Sequence, residues 1–238
     1  MNQAYVYGSL IRTSDDPGGA QARQLIREVK KLFDPSEGRR YLKGEEVYRP
    51  GDVDDCLYYI ESGVVKLAYL DQSGRKLTLS ILGKDDIFGE MVLVGKPQRE
   101  LLAQVLQDAV IYHIDKGRFT ELLRSQPDLA LEVIELFGRR TREIESKLED
   151  LVFKDIPTRL SRQILKLIEE HGVDTDDGKR IDFKITHKEL ADLIGSAREN
   201  TTSALNSLAQ EGILDKKRYQ IIVKDEDRLK ERGGDEAT

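Results

Sequence analysis

Arg198, Glu199, Asn200 and Ser203 stand close together at a place where the apolar pattern predicts the start of a helix. An arginine can bond a guanine edge through two hydrogens, and a glutamate can accept from the amino group of cytosine. Such chemistry reads duplex DNA only if a rigid element carries it into the major groove. The segment from Thr186 to Leu214 supplies that element. Leu190, Leu193 and Ile194 recur at helical spacing, as do Ala204, Leu205 and Leu208, and Gly195 separates the two stripes. Two short amphipathic helices this close must pack on each other. Thr186 with Glu189 predicts a capping box at the first, and Ser196 with Glu199 offers the same pair at the second. A helix-turn-helix follows, presenting Ala197, Arg198, Glu199, Asn200 and Ser203 outward from the end that enters a groove in such motifs. The same pattern describes helix pairs buried in ordinary cores.

The residues after Leu214 separate these readings. DKKRYQIIVKD predicts a β-hairpin with Lys216, Lys217, Arg218 and Tyr219 at its tip, which is a basic wing. Residues 184–224 hold seven Lys and Arg against five Asp and Glu, within a chain of formal charge −6. Contact with double-stranded DNA is therefore expected through one focused face, with Lys217 on it, while the rest of the surface repels phosphate.

The remaining composition is that of a soluble two-domain protein: 238 residues, 39% hydrophobic and 34% charged. Cys56 stands alone, which excludes an internal disulfide or a cysteine-held cluster and fits a reducing cytoplasm. No apolar run approaches the length of a membrane span, and the first residues lack the form of a signal peptide, so no membrane partner is expected. Residues 1–20 read as a flexible extension and RGGDEAT as a frayed tail. His113, His171 and His187 show no ligand spacing, so neither a metal nor a cofactor is expected. A metal-dependent enzyme would need a cluster of histidines and carboxylates inside the β domain, where only His113 lies. No enzyme is expected.

Between Tyr41 and Ile114 the strand signals are Leu57 to Ile60, Val64 to Leu70, Leu77 to Leu82 and Val105 to Ile114, punctuated by turn residues that include Ser62 and Gly63. Leu77, Leu79 and Ile81 alternate with polar neighbours, as in a sheet with one buried face. Short strands so spaced predict a jelly roll. Helices are expected before it, from Ala22 to Leu32, and after it, from Lys116 to Arg124. Ile134, Phe137, Thr141, Ile144, Leu148 and Leu151 then fall 3, 4, 3, 4 and 3 residues apart, an a/d seam. Such a seam can bury itself on the β domain or on a second copy; its almost wholly charged flanks favour a homodimer. Two-fold symmetry would place two reading helices one DNA turn apart on a near-palindrome. Pro157 ends the long helix and marks a boundary. Leu160, Ile164, Leu167 and Ile168 predict a helix to His171, and VDTDDGKR an exposed loop. The expected organisation is α+β: an extension over 1–20, an N-terminal double-stranded β-helix (jelly-roll) over 21–127, a dimerisation helix over 128–154 and a winged helix-turn-helix over 155–238.

This arrangement, with Gly89-Glu90 before the roll closes and ITHKELADLIG followed by ARE, resembles the cyclic-AMP receptor protein and fumarate-and-nitrate-reduction regulator family of bacterial transcription factors. The resemblance covers about Tyr41 to Asp225. It implies that Arg198 and Glu199 read bases, unless Glu199 serves mainly as a cap, and that Thr186, His187 and Lys188 lie near phosphates. Ala197 stands where the family usually has Ser, and Ser203 where the receptor protein has a second guanine-reading Arg. Ser203 cannot form that bidentate pair. For the roll, the resemblance makes Gly89, Glu90 and Arg99 candidate effector-binding residues. Glu100, however, replaces the Ser expected after the phosphate-binding Arg, and Ile144-Glu145 replaces a Thr-Ser pair. Glu100 is expected to repel a phosphate and pair with Arg99, which disfavours cyclic AMP and leaves open another small effector or none. The resemblance also implies an activator that touches RNA polymerase through Asp174 to Arg180 and the roll surface. The alternative reading is a ligand-sensing module whose DNA binding depends on an effector in the roll.

Overall fold

The structure, a computed structural model, describes residues 25–234 apart from 34, 96 and 218. The expected extension over 1–20, the start of the first helix, Arg218 of the wing and the last four tail residues lie outside the described residues. Two compact units form: one takes the chain up to Leu70 together with Ile81–Glu143, the other Asp71–Ser80 together with Ile144–Thr238.

The first unit is a β-roll. After helical residues 25–30 (α1) come β1 (Arg39–Tyr41), β2 (Glu46–Tyr48), β3 (Cys56–Leu70), β4 (Lys76–Leu82), β5 (Ile87–Phe88) and β6 (Leu102–Asp115). They form a sheet in the order β1-β6-β3-β4, with β2 on β6 and β5 on β3. Its spine is the antiparallel pair β3 and β6, in register from Cys56 opposite Asp115 to Ala68 opposite Leu102. The break expected at Ser62 and Gly63 is instead a register shift inside one continuous strand. Gly63, at φ +93°, runs so close to β6 that a Cβ would lie 2.4 Å from the Asp108 carbonyl oxygen. Only glycine fits there.

The apolar run Leu57 to Ile60 serves two cores. Leu57 and Tyr59 pack with Ile114, Phe119, Leu129 and Val133 beneath the helices α2 (Lys116–Ser125) and α3 (Pro127–Phe153). Tyr58 and Ile60 face the roll interior with Phe88, Val105 and Ile111. A strand covered on both faces reads as an unbroken apolar run. In β4 the expected alternation does not set the buried face: Thr78 is buried, whereas Leu77 and Leu79 are half-buried. Residues up to Ser80 belong to the second unit, where Leu77 lies beside Gly195.

The second unit contains α4 (Ile156–His171), β7 (Gly172–Thr175), β8 (Gly178–Ile181), α5 (His187–Ile194), α6 (Arg198–Gln210), β9 (Leu214–Lys217), β10 (Gln220–Val223) and α7 (Glu226–Gly233). Asp155 caps α4 by accepting from the Thr158 amide, and Pro157 sits in its first turn, where a missing N–H costs nothing. Leu160, Ile164 and Leu167 of α4, Leu190 of α5 and Leu205 of α6 are fully buried and form the three-helix core. VDTDDGKR is not an exposed loop: it is the hairpin β7–β8, which joins the wing strands in a sheet of order β7-β8-β10-β9. Its polar alternation hid it, although Asp177-Gly178 is a hairpin signal.

Candidate nucleic-acid interface

Thr186 starts α5 through the expected capping box: its hydroxyl accepts from the Glu189 amide at 3.1 Å, and the Glu189 carboxylate accepts from the Thr186 amide at 2.6 Å. Gly195 ends the helix in the left-handed region at φ 61°. The second expected capping box is absent. The Ser196 amide is drawn back to the Ala191 carbonyl, so α6 begins later, with Ala197 as an N-cap that gives no side-chain bond. Glu199 therefore does not cap the helix and is exposed together with Ala197, Arg198, Asn200 and Ser203. Thr201, Ala204, Leu205 and Leu208 bury the opposite face. This polarity leaves the N-terminal end of α6 open to a partner, with its unpaired amides favouring negative charge.

Beside that end lies a groove of about 570 Å³, with Ile185, Leu205 and Ile221 among its apolar lining and His187, Lys188, Arg198, Lys216, Lys217 and Tyr219 among its polar lining. Lys188 is bonded to the buried carboxylate of Asp192 at 2.7 Å, so part of its charge is offset. Lys217 lies 3.8 Å from Asp177, both exposed. Lys216 donates to the amide oxygen of Asn206, a neutral partner that leaves its charge unneutralised. Sequence reasoning placed Lys216 in the wing but did not assign it to the interface. The signal lay in the register, since Lys216 pairs with Ile221 and Lys217 with Gln220. His187 Nδ1 is 2.9 Å from Thr202 Oγ1 on α6. Burial, then Lys216 and Arg198, hold the His187 pKa below the usual histidine value.

In the roll, Gly89 at φ +78° caps a short 3-10 turn over Glu90–Val94. Glu90 is buried and ion-paired with Arg140 of α3, which also donates to the Ile87 carbonyl. Arg99 is 5% exposed and bonds the Gly89 carbonyl at 2.9 Å and the Asp54 carboxylate at 2.9 Å. Its guanidinium lies over the rings of Tyr48 at 4.6 Å and Tyr58 at 5.3 Å. The expectation that Glu100 pairs with Arg99 is corrected: Glu100 is exposed, because adjacent strand-like residues point to opposite sides, and Asp54 is the anion. Cys56, next to this pair, has its thiol pushed up to about 11 by burial and by Asp54, so it is a neutral thiol at physiological pH.

Along α3, Ile134, Ile144 and Leu148 are exposed, and Leu131 and Val152 extend their stripe. Thr141 is exposed on the same helix. Phe137 instead packs on the roll core, and Leu151 lies against Gly195, where an added Cβ would approach it to 2.7 Å. The other histidines have packing roles: His113 Nε2 is 3.0 Å from the Tyr41 hydroxyl, and His171 meets Phe183 edge to face. Among the described residues no cluster of three or more His, Cys, Asp or Glu could hold a metal ion, and no helix is long and apolar enough to cross a membrane.

A closed β-roll followed in sequence by a long helix and a winged helix-turn-helix defines a two-module regulator class. Residues 38–126 match the cyclic nucleotide-binding domain family, and residues 158–232 match the Crp-like helix-turn-helix domain family. The chain is 31% identical over 187 residues to the cyclic AMP receptor protein of Thermus thermophilus, covering 79% of this chain and 83% of that protein. It is 28% identical over 207 residues to the CRP-like cAMP-activated global transcriptional regulator of Mycobacterium tuberculosis, covering 87% and 91%. Among solved structures, a CRP/FNR family transcriptional regulator of Thermus thermophilus matches with a TM-score of 0.68 and 28% identity over 83% of this chain and 98% of that one. The chain belongs to the CRP/FNR family of transcription regulators and carries that family's helix-turn-helix DNA-binding domain.

Proposed function

We propose that this protein is a cytoplasmic, non-enzymatic homodimer that activates transcription by reading a near-palindromic DNA site with the helix over 197–211, independently of cyclic AMP. The observation that carries this reading is the exposed row Arg198, Glu199, Asn200 and Ser203 beside a groove lined by Lys188, Lys216 and Lys217. Base-reading groups at a helix N-terminus, flanked by phosphate-binding cations, are the two parts that sequence-specific binding requires. Self-pairing rests on the exposed apolar stripe from Leu131 to Val152 on α3. Independence from cyclic AMP rests on Asp54 and Arg140, which already engage Arg99 and Glu90. We assign the functional division as roll 21–127, dimer helix 128–154 and reader 155–238. RNA polymerase would be touched through the roll surface and the β7–β8 hairpin, which carries Asp174 on a paired strand and Asp176 and Asp177 at its turn.

The second reading, DNA binding that depends on an effector in the roll, is favoured by the match of residues 38–126 to the cyclic nucleotide-binding domain. Titration of effector-free protein onto promoter fragments separates the two. Nanomolar binding without ligand supports the first. Binding that appears only on adding cyclic AMP or a cell extract's small molecules supports the second.

A further inference from the structure

His187 opens α5, half-buried, with its Nδ1 2.9 Å from the Thr202 hydroxyl of α6. It therefore touches both the groove and the helix that carries the base-reading groups. The charged groups around it are predominantly cationic: Arg198 from α6, Lys216 and Lys217 from β9, and Lys188 on its own helix, with Tyr219 also lining the groove. The two carboxylates of α5 are engaged elsewhere, Asp192 with Lys188 and Glu189 with the Thr186 amide. In the free protein this environment disfavours a charged imidazole: burial, then Lys216 and Arg198, keep its pKa below the usual value. A hydroxyl is a partner that serves both states of the ring. It donates to a bare Nδ1 and accepts from a protonated one.

Among the described residues the groove lining holds no carboxylate, Asp192 and Asp177 standing against Lys188 and Lys217 rather than against the imidazole. A backbone phosphate would bring an anion to the ring and favour its charged form. We propose, on the reading that this groove binds duplex DNA, that His187 takes up a proton from solvent as a phosphate enters, and so couples phosphate contact to α6 through Thr202. In each half of the dimer one N–H bond forms on the ring as a hydronium ion or buffer acid gives up its proton, and no other covalent bond of protein or DNA changes. By linkage, affinity for DNA rises as pH falls through the interval between the free and bound pKa values of His187, and is level on either side of it.

The test is the dissociation constant of the full-length protein on its selected duplex, at fixed ionic strength, between about pH 6 and about pH 8.5. Wild type and His187→Gln are compared, and proton uptake is read by calorimetry in two buffers of different ionisation enthalpy. For wild type, affinity increases toward low pH by up to about tenfold per half-site for each unit by which DNA raises the His187 pKa, with net proton uptake. For His187→Gln the slope and the uptake fall to near zero. Equal pH slopes in the two proteins, or no uptake by wild type, overturn the proposal. Failure to bind any duplex at every pH overturns the DNA-binding reading instead.

Discussion

Asp54 and Arg99 form a 2.9 Å ion pair at the edge of the roll interior, and the same guanidinium is held by the Gly89 carbonyl and covered by Tyr48 and Tyr58. The arginine that the family resemblance assigns to a nucleotide phosphate is thus already neutralised. A phosphate would have to displace the Asp54 carboxylate and take its place on Arg99, so only the difference between the two pairings would contribute to binding. Calorimetry with cyclic AMP is therefore expected to give no isotherm in the micromolar range. A micromolar isotherm that disappears in Arg99→Ala contradicts this account of the roll.

The same pair sets an acid sensitivity. Burial opposes ionisation of Asp54, but hydrogen bonds from Tyr58 and Arg99 and from the Cys56 amide outweigh it and hold its pKa below the ordinary value. A carboxyl with a depressed folded pKa stabilises the protein above its unfolded pKa of about 3.9 and loses that contribution as pH falls through the lower folded value. Melting temperature should fall more steeply for wild type than for Asp54→Asn as the medium is acidified below about pH 4. Parallel curves would remove Asp54 from the acid response.

Much of the site was legible because its signals are local. The Thr186–Glu189 capping box, the Gly195 turn and the stripe of Leu190, Leu193 and Ile194 each depend on residues within one or two helical turns, and each is present. The failures came where a distant or competing interaction decided the outcome. Ser196 had a suitable partner at Glu199, yet its amide is claimed by Ala191, which shifts the start of α6. Asp54 pairs with an arginine 45 positions away, so spacing gave no hint of it. Phe137 and Leu151 share the heptad spacing of Ile144 and Leu148, but spacing does not say whether a half-exposed residue turns toward its own chain or away.

Ile144 is 51% exposed and Leu148 is 61% exposed on one stripe of α3. In the proposed homodimer, burial of that stripe against its two-fold copy would supply the interface. Ile144→Asp with Leu148→Asp should give monomers by sedimentation, with little affinity for a two-half-site duplex. An unaltered dimer would sink the assignment of this helix to self-pairing.

Gly195 sits at φ +61°, and a Cβ placed there would lie 2.7 Å from Leu151 Cδ2. Gly195→Ala adds left-handed strain of about 1–2 kcal/mol. Gly195→Val worsens the contact with Leu151 that the alanine Cβ already makes, and its β-branched side chain tolerates the conformation less well. Chemical denaturation should therefore rank stability as wild type, then alanine, then valine, with DNA affinity falling in the same order. Equal stability for all three would mean that the turn does not need glycine.

Whether α6 reads sequence is measured most directly with Arg198→Ala, on a duplex selected from random sequence and on a scrambled duplex, over a range of salt. Removing a bidentate bond to a base should cost about 1–3 kcal/mol on the selected duplex, relax preference at one base pair per half-site and change scrambled binding little. Lys217→Ala serves as the contrast: it should weaken both duplexes alike and flatten the salt dependence by about one unit for each phosphate left without its lysine. If Arg198→Ala weakens the selected and scrambled duplexes equally, Arg198 is a phosphate anchor and the helix it begins is not the reader described here.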